Sequence, residues 1–347
     1  MKTDSPEQWY VAIFAQDLRG KPIRRTILGI HLVFFRDEEG NAAALADRCP
    51  HRNAPLSEGR IVQGCLQCPY HGWKFNSLGE CVEIPGLIHP ISKEKKPSVE
   101  AFEILEQDRL IWIRLKKPEG SIDRLPLRML GLDEIGNHAF FFQSSSSTQM
   151  LNALENLLDG THTHFVHPGL IRREGGRKKV SARLKGGNEK IEIEYHGEGK
   201  QSGFISKVFG SDDIVGIGRF IFPCVGQLEY KNTKGRKLVL TAFFTPENEN
   251  LLRVFVGVTY RKPSWLPGWL VNFILRPLFL KGKAQDAVIL SKQADNLRSW
   301  GGKEQFHYTE LDLIRPHIIR ILEKNLDGDS EDQKSDLIFE REITLLL

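Results

Sequence analysis

The sequence is poor in cysteine. Its 347 residues include five cysteines, an odd and sparse number that does not suit the disulfide framework of a small secreted protein. Residues 1–10 carry three charged side chains and no apolar core, so they do not have the pattern of a secretory signal. We therefore expect a cytoplasmic protein, in which thiols stay reduced or bind metal.

Long hydrophobic runs are also lacking. One mostly apolar stretch, residues 265–280, is interrupted by Pro267, Asn272, Arg276 and Pro277, and it falls short of the ~20 apolar residues that span a bilayer. We interpret it as a packed irregular helix or a hydrophobic surface patch, and we predict no membrane span.

Neither a strong charge of one sign nor a nucleotide-binding loop is present. The chain has 48 basic and 44 acidic residues, and no long basic block interleaves with aromatic residues, so nucleic acid is not an expected partner. No Gly-x-Gly-x-x-Gly sequence follows a predicted strand, which excludes an evident NAD or flavin fold within this chain.

The length suggests two domains. Residues 1–118 read as short β runs punctuated by proline and glycine, which indicates a small all-β domain with functional loops. The composition changes near Pro118, so we place the second domain at residues 119–347. Helical or alternating patterns recur there, at residues 150–166, 191–195, 238–244, 252–260, 278–297 and 311–326. Together they predict an α+β domain.

Two short motifs in the first domain combine cysteine with histidine. Cys49 and His51 form one, and Cys68 and His71 form the other, with sixteen residues between them. Two thiolates on one iron and two imidazoles on the other is the ligand set of a Rieske [2Fe–2S] cluster. The alternative is a zinc site, although zinc modules more often pair two cysteines in one half and two histidines in the other.

The sequence CPYHGWKF at residues 68–75 and the sequence GECVEIP at residues 79–85 closely resemble the Rieske non-haem iron oxygenases. The resemblance is to alpha subunits of the vanillate demethylase and phthalate oxygenase type, which have a single type of subunit. It implies an all-β Rieske domain and then an α+β, helix-grip-like catalytic domain with an antiparallel sheet. That second domain would hold one mononuclear Fe(II).

The family pattern Asn-x-x-Asp-x-x-His-x-x-x-x-His falls on Asn156, Asp159, His162 and His167. The resemblance implies that the two histidines bind iron and that Asp159 links this iron to the cluster of a neighbouring subunit. Residues five apart lie roughly 140° apart on a regular α-helix, so both histidines can face one iron only if the helix is distorted. His164 does not fit the spacing, and we expect it to pack or to face substrate.

The resemblance assigns Asp286 as the third iron ligand, with Gln293 seven residues later. A carboxylate with two imidazoles leaves open positions on Fe(II). The alternative is an ordinary solvated helix carboxylate, with Asp295 as the nearest competitor. Gln285 stands where the family often has an acid, which affects the tuning of the site rather than ligation.

The resemblance implies an enzyme that uses O₂ and two external electrons to hydroxylate, or O- or N-demethylate, a small aromatic or alicyclic substrate. A separate reductase or ferredoxin would supply the electrons, with NAD(P)H acting only through it, and the assembly would be a homotrimer. Three alternatives remain: a ring cis-dihydroxylating dioxygenase, a Rieske electron carrier without catalytic iron, and a zinc-bound interaction protein. Candidate pocket residues, which an apolar core would explain equally well, are Phe204, Phe220, Phe222, Phe243 and Phe255.

Overall fold

The computed structural model describes residues 3–89, 96–118, 124–172, 177–197, 214–233, 235–262, 267–326 and 339–347. The chain divides into two compact units. One comprises Ser5–Arg128 and Thr245–Glu249, and the other Met1–Asp4, Met129–Phe244 and Asn250–Leu347.

The first unit is built of strands in three small sheets, with the orders β1-β10-β9, β2-β3-β4 and β5-β6-β7-β8. Neighbouring strands in these sheets are antiparallel. The strands are Trp9–Phe14 (β1), Ile23–Ile27 (β2), Ile30–Arg36 (β3), Ala42–Ala46 (β4), Arg60–Val62 (β5), Cys65–Gln67 (β6), Lys74–Phe75 (β7), Cys81–Glu83 (β8), Glu103–Gln107 (β9) and Leu110–Arg114 (β10). The all-β prediction for this part of the chain is confirmed.

The hydrophobic core of this unit lies directly behind the two cysteine–histidine motifs. Cys49 and Cys68 belong to the same buried cluster as Phe35, Leu66 and Phe75. Cys49 follows β4, and Cys68 lies between β6 and β7. The packed strands therefore fix the two loops from which the motifs project.

The second unit contains an eight-stranded sheet with the order β11-β17-β16-β15-β14-β13-β12-β18. Its strands are Asn137–Ser146 (β11), Lys179–Gly186 (β12), Lys190–His196 (β13), Val215–Ile221 (β14), Val225–Asn232 (β15), Gly235–Asn248 (β16), Leu251–Arg261 (β17) and Phe339–Leu346 (β18). On β13, Ile191 and Ile193 are buried whereas Glu192 and Glu194 are partly exposed, as the alternation predicts.

Four helices accompany this sheet in the described part of the chain: Met150–Leu158 (α1), Thr163–Val166 (α2), Gly268–Ser299 (α3) and Arg315–Leu326 (α4). Helix α1 packs on β14 and β15, and α3 packs on β11. The predicted α+β class is therefore confirmed. None of the described helices is long and apolar enough to cross a membrane.

Helix α3 begins ten residues before the predicted helix. Residues 268–280 of the apolar stretch form the first turns of this helix, and Pro277 lies inside it. Trp269 and Phe273 are exposed there, at 72% and 75%. The described part of the stretch is therefore helical and exposes apolar side chains, whereas residues 265 and 266 lie outside the described residues. The boundary was missed because proline is unfavourable inside helices.

Candidate metal centres

The two cysteine–histidine loops have the same backbone hydrogen bonds. In each loop the cysteine N–H donates to the carbonyl oxygen five residues later, at 2.9 Å for Cys49 and 2.8 Å for Cys68. The N–H four residues later donates back to the cysteine oxygen, at 2.9 Å and 3.2 Å. That residue has a positive φ in both loops, +60° at Asn53 and +74° at Gly72. The repeated turn presents both motifs in the same way.

The cysteine and histidine side chains of these loops differ in burial. Cys49 and Cys68 are buried, at 1% and 3% exposure, while His51 is half-buried and His71 is exposed. The two imidazole rings lie 4.5 Å apart, and Trp73 stacks on His51 at 4.7 Å. Nδ1 of His51 is buried without a hydrogen-bond partner among the described residues. An inner pair of thiols and an outer pair of imidazoles fit a [2Fe–2S] cluster with two cysteine and two histidine ligands.

The second centre begins at the break between α1 and α2. Asp159 ends α1, and its N–H donates to the Glu155 oxygen at 2.8 Å. Its carboxylate accepts hydrogen bonds from the N–H and the hydroxyl of Thr161, both at 2.7 Å, and from the N–H of His162 at 3.2 Å. These bonds hold a turn in place of the next helical turn. The distortion that the His162–His167 spacing required is therefore present.

The turn brings His162 and His167 to Asp286 of α3. One potential ligand atom from each residue lies within 4.8 Å of the other two. Oδ1 of Asp286 is 3.0 Å from Nε2 of His167 and 3.5 Å from Nε2 of His162. On the far side of the His167 ring, Nδ1 lies 3.0 Å from the amide oxygen of Gln285. An amide oxygen can only accept, so Nδ1 is the nitrogen that donates to Gln285, and Nε2 points toward Asp286.

This donor set fits a metal ion. Nε2 of His167 lies 3.0 Å from a carboxylate oxygen of Asp286, and an imidazole nitrogen and a carboxylate oxygen so close need a proton or a metal ion between them. Oδ1 of Asp286 and Nδ1 of His162 are buried without a hydrogen-bond partner in the described part of the protein. Two imidazoles and one carboxylate form the facial ligand set of non-haem Fe(II).

The electrostatics of the centre favour positive charge. Burial lowers the pKa of His162, but Asp159 and Asp286 outweigh burial and raise it to about 9. Burial raises the pKa of Asp286, but His162 and His167 outweigh burial, so the pKa falls to about 2. The carboxylate therefore stays ionised and ready to bind a cation.

The other residues that the sequence offered for the second centre differ in their position relative to it. Asn156 lines the cavity beside the three ligands. His164 is buried on α2 at 2% exposure and is not one of the converging residues. Asp295 is exposed and pairs with Arg298 on the same helix. Of the two competing carboxylates on α3, only Asp286 faces the histidines.

The side chains of His162, His167 and Asp286 line a cavity of about 240 Å³. Its walls are mainly aliphatic, and its aromatic residues are Phe142, Tyr195, Tyr230, Phe244 and Phe279. Phe204 lies outside the described residues, and the other four predicted phenylalanines do not line the cavity. Val254 and Val256 line it, so Phe255 between them points to the opposite face of the sheet. The sequence predicted the positions of the strands, but it did not predict which face of each strand lines the cavity.

Comparison with known proteins gives matches to two protein families. Residues 8–102 match the Rieske [2Fe-2S] domain, and residues 146–329 match the vanillate O-demethylase oxygenase C-terminal domain. The second match covers more than half of the chain.

Two relatives illustrate the sequence similarity. The oxygenase component of dicamba O-demethylase from Stenotrophomonas maltophilia is 46% identical over 46% of this chain and 46% of its own length. The putative toluene-4-sulfonate monooxygenase iron-sulfur subunit TsaM2 from Comamonas testosteroni is 36% identical over 53% of each. The chain thus spans about half the length of the curated relatives it matches.

Two solved structures share the fold. Dicamba monooxygenase bound to dicamba has a TM-score of 0.77 at 22% identity, covering 95% of this chain and 100% of that one. NdmA of Pseudomonas putida CBB5 with caffeine also has a TM-score of 0.77, at 20% identity, covering 92% of this chain and 91% of that one.

A Rieske [2Fe-2S] domain followed by a vanillate O-demethylase oxygenase C-terminal domain defines the class of this chain. This chain belongs to that family, the alpha subunits of the Rieske non-haem iron oxygenases.

Proposed function

We propose that this chain is the oxygenase component of a Rieske monooxygenase, which uses O₂ and two external electrons to hydroxylate, or O- or N-demethylate, a small aromatic or alicyclic compound. The convergence of His162, His167 and Asp286 at an apolar cavity carries this proposal. The dicamba O-demethylase and toluene-4-sulfonate monooxygenase relatives support it.

In this proposal residues 1–118 hold one [2Fe–2S] cluster, through Cys49, His51, Cys68 and His71. Residues 119–347 hold one Fe(II), through His162, His167 and Asp286. When bound, the cluster supplies single electrons and the Fe(II) supplies open positions for reaction with O₂.

The protein's own residues organise the site. Asp159 maintains the turn that presents His162, and Gln285 orients the His167 ring. Asn156 lines the same cavity as the third ligand, Asp286. The aliphatic walls keep water from the reacting substrate.

The proposed enzyme needs a redox partner and further copies of its own chain. A separate reductase or ferredoxin would deliver electrons from NAD(P)H, because the sequence shows no nucleotide-binding loop of its own. We further propose a cytoplasmic homotrimer in which Asp159 lies between the cluster of one subunit and the iron of the next.

The test is O₂ uptake by the purified holoprotein with NADH and a surrogate Rieske reductase, measured against a panel of single-ring methoxy compounds. We expect uptake that depends on substrate and gives the phenol or the hydroxylated ring. A cis-dihydrodiol product would replace monooxygenation by ring dihydroxylation. Cluster reduction without substrate-dependent O₂ uptake across the panel would leave only an electron carrier.

A further inference from the structure

Lys283 is a charged residue of the cavity that takes no part in either metal centre. Lys283 lies on α3 one turn before Asp286, and both side chains line the cavity. Lys283 is half-buried. Within the described part of the protein it makes no hydrogen bond or ion pair, since Asp286 acts on it only through the longer-range charge interaction.

The carboxylates of the cavity are engaged elsewhere. Oδ1 of Asp286 faces the imidazoles of His162 and His167. The Asp159 carboxylate accepts hydrogen bonds from Thr161 and from the His162 backbone. Neither acid is therefore available as a close counterion for Lys283.

The other cation of the cavity is also engaged. Nη1 of Arg172 donates to the Gly160 oxygen at 2.8 Å and contacts the Thr163 hydroxyl. These bonds tie Arg172 to the turn that precedes α2, so it has a structural partner. Among the described residues that line the cavity, Lys283 is the remaining lysine or arginine, and it faces the space for a ligand.

The surroundings of Lys283 make its charge costly. The neighbouring cavity residues on the same face of α3 are apolar or glycine: Leu278, Phe279, Gly282, Ala287 and Leu290. An ammonium that leaves water for such a wall loses solvation free energy unless an anion pairs with it. Burial accordingly lowers the pKa of Lys283, and Asp286 opposes this only in part. A leucine or methionine would fill the same place without that cost.

The geometry points to an anion-recognition site: Lys283 pairs with the carboxylate or sulfonate of a single-ring substrate, whose ring packs on the aliphatic wall beside Asp286. Three residues of helix rise by about 4.5 Å, so a ligand anchored at Lys283 stays within one ring of the iron ligands. The cavity volume of about 240 Å³ lies below the roughly 300–1,000 Å³ of typical ligand pockets, which suits a small ring acid. The recognition of an anion stands on its own, whereas its identity as the oxygenation substrate rests on the proposed function.

The test is calorimetric binding to the iron-loaded holoprotein, without a reductase. The probes are 4-methoxybenzoate and its neutral amide, which share one ring and one methoxy group. We expect the wild type to bind the carboxylate at least about tenfold more tightly, as a partly desolvated charge pair allows. Lys283→Met removes this preference, and Lys283→Arg retains it. Lys281→Met is the matched control, because Lys281 is exposed on the same helix, and it leaves the preference unchanged.

Equal binding of the two probes by the wild type, including no measurable binding of either, overturns the proposal. So does a preference that survives Lys283→Met or is lost equally in Lys281→Met. The measurement is independent of turnover. Lys283-dependent acid binding in a protein that consumes no O₂ would keep this site and remove the oxygenase function. Oxygen uptake confined to neutral compounds would do the reverse.

Discussion

Gln285 illustrates how a single residue sets the state of a metal ligand. Its amide oxygen lies 3.0 Å from Nδ1 of His167, so the proton sits there and Nε2 faces the metal site. The sequence identified Gln285 as a departure from the family pattern without saying what it contacts. The structure shows that Gln285 provides an uncharged acceptor for the His167 ring.

A second residue, Glu229, governs the acid stability of the sheet. Its carboxylate is buried and pairs with Arg219 at 2.6 Å and with Arg236 at 2.8 Å. Burial raises the pKa of Glu229, but the two arginines outweigh burial and hold it below its ordinary value of 4.5. Because the folded pKa is depressed, the stabilisation is fully present above pH 4.5 and is lost as the pH falls through the folded pKa.

We therefore predict that Glu229→Gln lowers the free energy of unfolding by about 1–3 kcal/mol at pH 7. The difference from wild type should shrink as the pH falls below 4.5 toward the folded pKa of Glu229, because protonation removes the charge that the arginines stabilise. Thermal unfolding of the two proteins at matched pH values measures this. Comparison at each pH cancels any effect of acid on the metal sites. A difference that is the same at pH 7 and pH 3.5 would contradict this role for Glu229.

At the scale of elements, the contact between α1 and β15 supports the second metal centre. Gly226 lies on β15, and a Cβ atom there would come within 2.5 Å of Cδ2 of Leu157 on α1. The absence of a side chain lets the helix approach the strand. Because α1 ends in the turn that presents His162, a shift of the helix also moves a metal ligand.

We predict that Gly226→Val lowers stability by about 1–3 kcal/mol and reduces iron at the second centre, while the visible spectrum of the cluster is unchanged. Gly216→Val on β14 is the control, because a Cβ there meets nothing closer than 3.6 Å. Metal analysis and thermal unfolding measure both effects. Full iron occupancy in Gly226→Val would show that the helix contact does not position the ligand.

The elements also show how far the sequence could predict the fold. The five-residue spacing of His162 and His167 required a broken helix, and Asp159 and Thr161 form the turn that breaks it. The start of α3 was missed because prolines obscured it. The side of each strand that faces the cavity depends on register in the whole sheet, which local alternation does not supply. Lys283 was overlooked, although its three-residue spacing from Asp286 placed both on one helix face.

At the scale of the whole molecule, the proposed function requires that the two centres exchange electrons. Asp159 binds neither centre in the ligand assignments, and its Oδ2 lies 3.5 Å from Nδ1 of His162. We predict that Asp159→Asn keeps both metals but lowers substrate-dependent O₂ uptake about 10- to 100-fold, in line with the loss of an outer partner of a metal ligand. Metal content and steady-state uptake with a surrogate reductase measure this. Intact turnover with both metals present would remove Asp159 from the relay, and an active purified monomer would count against the trimer.

The number of iron and sulfide ions per chain decides whether one chain holds two separate iron centres. Iron and acid-labile sulfide are determined per chain in the wild type and in Asp286→Ala, together with the electron paramagnetic resonance signal of the reduced cluster. We expect three irons and two sulfides per chain in the wild type, because each full centre contributes its own iron. In Asp286→Ala we expect two irons, two sulfides and an unchanged cluster signal. Two irons in both proteins, or zinc without sulfide, would contradict two separate iron centres in one chain.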